Sequence, residues 1–138
     1  MYLLDTNVVS ELRKARAGKA YENVVAWAAE APAAGLFLSV ITIQELEIGI
    51  LLAERRDAPQ GSILRTWLED HVLPAFADRI LAVDVRIARR SAALHVPDPR
   101  PVRDALIAAT ALVHGLTLVT RNVVDFEPTE VNVLDPWA

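Results

Sequence analysis

Residues Val102–Phe126, VRDALIAATALVHGLTLVTRNVVDF, put a helix, a turn, a strand and a second turn into one unbroken segment. Asp104 stands in the first turn of a strongly helical run, Ala105–His114, and Gly115 follows where a helix needs a left-handed C′ residue. Leu116–Thr120 is a short apolar β-type run. The chain then turns polar at Arg121-Asn122 and offers a second acid, Asp125. An acid at a helix N-terminus and another just past a strand's C-terminal end stand where an α/β fold exposes functional side chains.

The rest of the chain repeats this alternation. Tyr2–Leu4 reads as a central buried strand, and Asp5-Thr6-Asn7 leads into a short helix, Val8–Arg13. Arg13–Lys19 is a small basic loop ending near Gly18. Ala20–Ala31 is expected to be helical, with Val24, Trp27, Ala28 and Ala31 on one face and Pro32 ending it. Leu36–Ser39 is the second strand. Thr42-Ile43-Gln44-Glu45 fits a capping box opening a helix to about Arg56. Gly49 costs that helix about 1 kcal/mol, which points to close packing there. Asp57–Ser62 reads as a polar turn, Ile63–Phe76 as a helix kinked at Pro74, and Ile80–Val83 as the third strand. Asp84 begins a helix through about Leu94, with Arg86, Arg89 and Arg90 on a solvated face. Pro97, Pro99 and Pro101 stiffen an extended connection, with Pro101 near a good N1 position. Val131–Leu134 is a final strand, and Trp137 is expected against the body. With no repeat, low-complexity tract or linker, residues 1–138 read as a single domain of α/β class, a parallel sheet covered on both faces.

Composition narrows the function. The chain has 138 residues, 53% of them hydrophobic, and a mean hydropathy of +0.27, yet no apolar run approaches the ~18 residues of a membrane span. It has no cysteine, hence no disulfide framework and no thiolate metal site. Asp5 interrupts any N-terminal apolar run, so no signal peptide and a cytoplasmic location are expected. The surplus apolar surface points to a partner or to self-association, with helix Thr42–Arg56 the candidate face; burial of both its faces in a layered fold is the alternative. The net charge of −4 does not advertise nucleic-acid binding. Only Lys14 and Lys19 are lysines and the other basic residues are arginine, a bias that suits phosphate contacts but also follows from GC-rich coding.

Taken singly, Asp5, Glu45, Asp104 and Asp125 are each plausible helix caps. Taken together, an α/β topology places them on one rim of the sheet, where unpaired carboxylates repel and raise one another's pKa. A divalent cation relieves that repulsion, and all-oxygen ligands select Mg²⁺ or Mn²⁺. None of His71, His95 and His114 lies beside these positions in sequence, which argues against zinc. A carboxylate-bound Mg²⁺ meets phosphate oxygens, so phosphodiester hydrolysis is the leading chemistry. Two rivals stand beside it. An aspartate-based phosphatase would need a second Asp where Asn7 stands and a late lysine, whereas the last lysine is Lys19. A non-catalytic scaffold or dimerisation protein is kept open by Asn122, an amide directly after the fourth strand, and opposed by the gathering of Asp5, Glu45 and Asp104 on one rim.

The ordered set LLDTNVVSE, SVITIQELEIG, RDALIAATALVHGLTLVTRNVVDF and the terminal VLDPW resembles PIN-domain ribonucleases, specifically the VapC/FitB type of toxin from toxin–antitoxin modules. The resemblance implies a three-layer α/β/α fold with a parallel sheet of about five strands. It also implies Mg²⁺- or Mn²⁺-dependent RNA cleavage, a homodimer or larger assembly, and an inhibiting antitoxin through which alone DNA would be met. The family's acids carry over as Asp5, Glu45 and Asp104. The fourth place falls to Asn122, through its carbonyl, or to Asp125. Thr6, Asn7 and Thr120 match residues that orient ligands or water from behind the acids. Arg103 and Arg121, with Arg100 and the Arg13–Lys19 loop, are candidate contacts to the RNA backbone.

Overall fold

The computed structural model describes residues 1–138. Five short strands pair in the order β3-β2-β1-β4-β5, every pair parallel. Strand β1 (Tyr2–Leu4) is central, with Leu3 opposite Phe37 of β2 (Leu36–Ser39) and Leu118 of β4 (Thr117–Val119). Strands β3 (Ile80–Leu81) and β5 (Val133–Leu134) form the edges. The chain builds one side of β1 first and then crosses to the other, so the order reverses between β1 and β4. In open α/β sheets that reversal leaves a crevice at the strands' carboxyl ends.

Alternation along the strands divides the core. Leu3 and Leu118 face one layer, packed with Ile87 of α6 (Val85–Leu94) and with Ile107, Ala108 and Ala111 of α7 (Val102–His114). Leu4 and Val119 face the other, packed with Val8 and Val9 of α1 (Thr6–Arg13) and Leu46 and Ile50 of α3 (Val40–Arg56). This is the expected three-layer arrangement. Helix α2 (Glu22–Glu30) lies beside α1, and its Trp27 meets Tyr2 edge to face at 5.3 Å. Gly115 ends α7 at φ 66°, in the left-handed conformation glycine adopts without strain. Trp137 is tied to the body through its carbonyl, which accepts from Asn23 Nδ2 at 3.0 Å.

Several local expectations are corrected. Helix α3 is capped three residues before Thr42, by Ser39, which accepts from the Ile41 N–H at 3.0 Å. Thr42 is therefore interior and fully buried, and Glu45 belongs to the second turn instead of a capping box. Residues Asp57–Ser62 are not a turn: Asp57 accepts from the Gln60 N–H and caps α4 (Ala58–Trp67), whose Pro59 sits in the first turn, where no donor is required. The helix widens into a π turn over Leu68–Val72 ahead of Pro74, which has no N–H for the ladder, and ends with α5 (Leu73–Ala75). The third and last strands are two residues each. Pro101 is the N-cap of α7, not N1.

Gly49 is exposed with open space around it, so it allows no close packing within this chain. The close approach is at Gly61, where a Cβ would lie 2.6 Å from the Glu54 Cα as α4 folds back on α3. Ile48, Leu51 and Leu52 are exposed, so α3 does not bury both faces in its own chain. Gly61→Ala is expected to lower stability by about 1–3 kcal/mol, because backbone must shift. Gly49→Ala is expected to raise it by up to about 1 kcal/mol. Urea denaturation of the two variants beside the parent checks both signs.

Candidate active site at the carboxyl edge of the sheet

Asp5 leaves the central strand and enters α1. Its backbone N–H bonds to the Val119 carbonyl at 2.9 Å, so the residue is still in register with β4. Its side chain, 5% exposed, is surrounded by donors. Oδ1 accepts from the Thr6 N–H at 2.8 Å, capping α1. Oδ2 accepts from Thr120 Oγ1 at 2.8 Å and from Asn7 Nδ2 at 3.4 Å. Burial nevertheless pushes the Asp5 carboxyl above the usual range, outweighing those bonds, with the charges of Asp104 and Glu45 adding to the rise.

Thr120 and Asn7 link the two strand exits. Asn7 Nδ2 donates to Thr120 Oγ1 at 3.2 Å, and Asn7 Oδ1 accepts from the Arg121 N–H at 3.3 Å. Thr120 Oγ1 also accepts from the Asn122 N–H at 3.0 Å, which shapes the turn after β4. Thr6 ties in α3: its hydroxyl donates to Glu45 Oε1 at 2.6 Å and lies 3.2 Å from the hydroxyl of Thr42. The other Glu45 oxygen meets Arg103 Nε at 3.2 Å. Thr42 is the residue sequence reading missed. Its place in S/T-x-x-E resembles a cap, and only the earlier helix start turns its hydroxyl toward Thr6.

Asp104 is at the third position of α7, which runs back toward β4's start and so opens at the sheet's carboxyl edge. It is half-buried and makes no hydrogen bond or ion pair. Burial first, then the charges of Glu45 and Asp125, push its carboxyl up, with Arg103 opposing. Asp125, in the first turn of α8 (Val123–Phe126), is exposed and lines one cavity with Asp104. The Asn122 side chain makes no hydrogen bond and lies in a neighbouring depression with Asp125 and Asp135. The site thus brings Asp5, Glu45 and Asp104 into electrostatic reach of one another, adds Asp125 beside Asp104, and leaves Asn122 to one side. Arg121 is turned toward Trp137, its guanidinium 5.4 Å from the ring centre.

No three of these acids converge closely enough to enclose one ion between them. The donor set still fits a hard divalent cation. It is all oxygen, its charges are mutually unfavourable, and Asp104 has no protein partner to lose. Mg²⁺ needs only one or two carboxylates because it keeps much of its water.

The raised Asp104 carboxyl has a consequence for stability. The folded state holds this proton more tightly than the unfolded chain. Between the ordinary aspartate pKa and the raised folded one, stability therefore falls as pH rises. Asp104→Asn removes that fall. In EDTA its melting temperature is expected to exceed the parent's at neutral pH, the difference closing as the pH is lowered past the ordinary aspartate range. A scanning-calorimetry series across pH checks this, and a lower melting temperature throughout would assign Asp104 to helix capping instead.

The model of the PIN domain family matches residues 2–127. The chain is 37% identical to the VapC ribonuclease Y4jK of Sinorhizobium fredii, over 99% of this chain and 98% of that protein. It is also 37% identical to the toxin FitB of Neisseria gonorrhoeae, over 99% of each. Among solved structures it is similar to FitAcB from Neisseria gonorrhoeae, with a TM-score of 0.89, 36% identity and 99% of both chains covered. It is also similar to a toxin–antitoxin complex from Klebsiella pneumoniae, with a TM-score of 0.67 and 29% identity over 99% of this chain and 98% of that one. Matched by the family's model over most of its length and by relatives from end to end, the chain belongs to the PIN domain family.

Proposed function

We propose that this protein is a metal-dependent endoribonuclease and the toxin of a toxin–antitoxin pair. The observation that carries the reading is the gathering of four carboxylates from four elements at the crevice between β1 and β4, two of them with raised pKa. Full-length similarity to a protein named a ribonuclease and to one named a toxin supports it.

Asp5, Glu45, Asp104 and Asp125 would hold Mg²⁺ or Mn²⁺. A cation bound there supplies a Lewis acid for the scissile phosphate and a water of lowered pKa for in-line attack. The protein's part is to fix the donors. Asp5 is held by the Thr6 N–H and Thr120, Glu45 by Thr6, and Asp104 is left free to ligate. Asp125 is the fourth acid in this reading, since it shares a cavity with Asp104 and contributes to raising its pKa. Arg103 and Arg121 offer local positive charge to the RNA backbone on a chain whose net charge is −4. The exposed Ile48, Leu51 and Leu52 on α3 and Ile63 on α4 form an apolar face suited to a second copy or to the antitoxin. No helix is long and apolar enough to cross a membrane.

One observation favours the scaffold reading: no three of the acids close around an ion. Cleavage decides between the two. Bulk cellular RNA incubated with the purified chain, free of antitoxin, is expected to be cut with Mg²⁺ or Mn²⁺ and not with EDTA. Asp5→Asn and Asp104→Asn are each expected to lower the rate by about 10²–10³-fold or more, the loss typical of removing a group that stabilises transition-state charge. Calorimetric metal binding without cleavage of any RNA would favour the scaffold. Charge reversal at Arg103 and Arg121 is expected to weaken RNA binding and to flatten its salt dependence by about 0.7 for each phosphate no longer neutralised. An unchanged slope would remove these arginines from the RNA interface.

A further inference from the structure

A cavity of about 350 Å³ opens directly beside the acids, between the first turn of α7, the proline-rich connection before it and α8. Asp104 and Asp125 line it, so it is continuous with the candidate catalytic rim. Pro99, Pro101 and Pro128 supply rigid apolar surface, with the exposed Val124 beside them. The remaining charged residue is Arg100.

Arg100 differs from the other rim arginines. Arg103 is committed to Glu45, and Arg121 lies over Trp137. Arg100 is anchored twice: its Nε donates to the Leu94 carbonyl at the end of α6 at 2.8 Å, and its backbone N–H donates to His95 Nδ1 at 3.1 Å. Its two terminal nitrogens make no hydrogen bond or ion pair with the protein. A guanidinium fixed at Nε with its outer nitrogens free is ordered before any ligand arrives, which lowers the entropy lost on binding an anion. An occupant of this cavity needs an anionic group for Arg100 and a compact apolar face for the prolines. It also needs continuity with the group that the acids act on. A nucleotide has all three.

We propose that this cavity seats one nucleotide of the RNA next to the scissile bond, its phosphate on Arg100 and its base against Pro99, Pro101 and Pro128. The subsite rests on the endoribonuclease reading, and it makes this corner a place where base preference is set. Single-stranded RNA is read through unstacked bases lodged in such clefts.

The test is an NMR titration of the full chain, in Mg²⁺, with adenosine 5′-monophosphate, adenosine and inorganic phosphate. The mononucleotide is expected to bind saturably and to shift the amides of Arg100, Ala105, Val124 and Phe126. Phosphate alone is expected to move only the Arg100 end, and adenosine alone to bind more weakly than the mononucleotide. Arg100→Gln is expected to weaken the mononucleotide about tenfold, the loss of a charge-assisted hydrogen bond. Because that change also removes the Leu94 anchor, Val124→Glu serves as a second variant. Val124 is exposed, so the fold should hold while the added charge repels the phosphate. Shifts clustered elsewhere, or an affinity indifferent to both substitutions, would overturn the subsite. The RNA-cleavage assay stands apart: cleavage without binding here removes the subsite alone, and binding here without cleavage removes the nuclease reading and, with it, the subsite's place beside a scissile bond.

Discussion

The carboxylate of Asp5 is the fixed point of the molecule's carboxyl edge. A buried charge must be met by donors or be displaced, and three donors meet this one: the first N–H of α1, the Thr120 hydroxyl and the Asn7 amide. Each belongs to a segment that goes on to do something else. The α1 N-terminus carries Thr6, which grips Glu45 from another helix. Thr120 orders the turn after β4 through the Asn122 N–H, and Asn7 fastens the same turn through the Arg121 N–H. The cap of a short helix and the frame of a polar site are therefore one structure. Asp5 is a helix cap, and that does not compete with the ligand role proposed for it.

The same arrangement stores repulsion. Asp5 and Asp104 both lie above the ordinary carboxylate range, and burial is the first cause in each case. The donors around Asp5 do not cancel its burial, and Asp104 has no donors. Arg103 is the one cation that opposes the rise at Asp104, and it is half exposed, where an ion pair contributes about 0–1 kcal/mol. A fold that needed only stability would not leave this charge unmet. A divalent cation would meet it, and would also let a chain of net charge −4 hold a polyanion at this edge while repelling it elsewhere.

The sheet was legible because its strands are short apolar runs set between capped helices, and parallel pairing follows from that alternation. Gly115 and Asp84 marked helix boundaries whose chemistry is local. What escaped the sequence depended on two segments at once. Thr42 and Glu45 have capping-box spacing, and only the competition with Ser39, three residues upstream, decides which residue caps. Asp57–Ser62 has the composition of a turn, yet Pro59 is harmless in a first helical turn, and Gly61 is there for the backbone of Glu54. Gly49, expected to allow close packing, faces open space. The candidate acids could be named individually, whereas Thr42's grip on Thr6, across 36 residues, is a long-range fact that no spacing shows.

Asp125, proposed above as the fourth acid, shows how topology shapes this edge. Asn122 is the N-cap of α8 and Asp125 is its third residue, one helical turn further along. Asp125 lines the cavity that it shares with Asp104, whereas Asn122 lies in the depression beside it. Asp104 is itself the third residue of α7. The two acids thus stand at equivalent places on two helices that open at the same edge, each near a helix N-terminus that favours negative charge. The first turn of α8 thus brings an acid to the crevice, with Thr120 and Asn7 holding the turn before it in place.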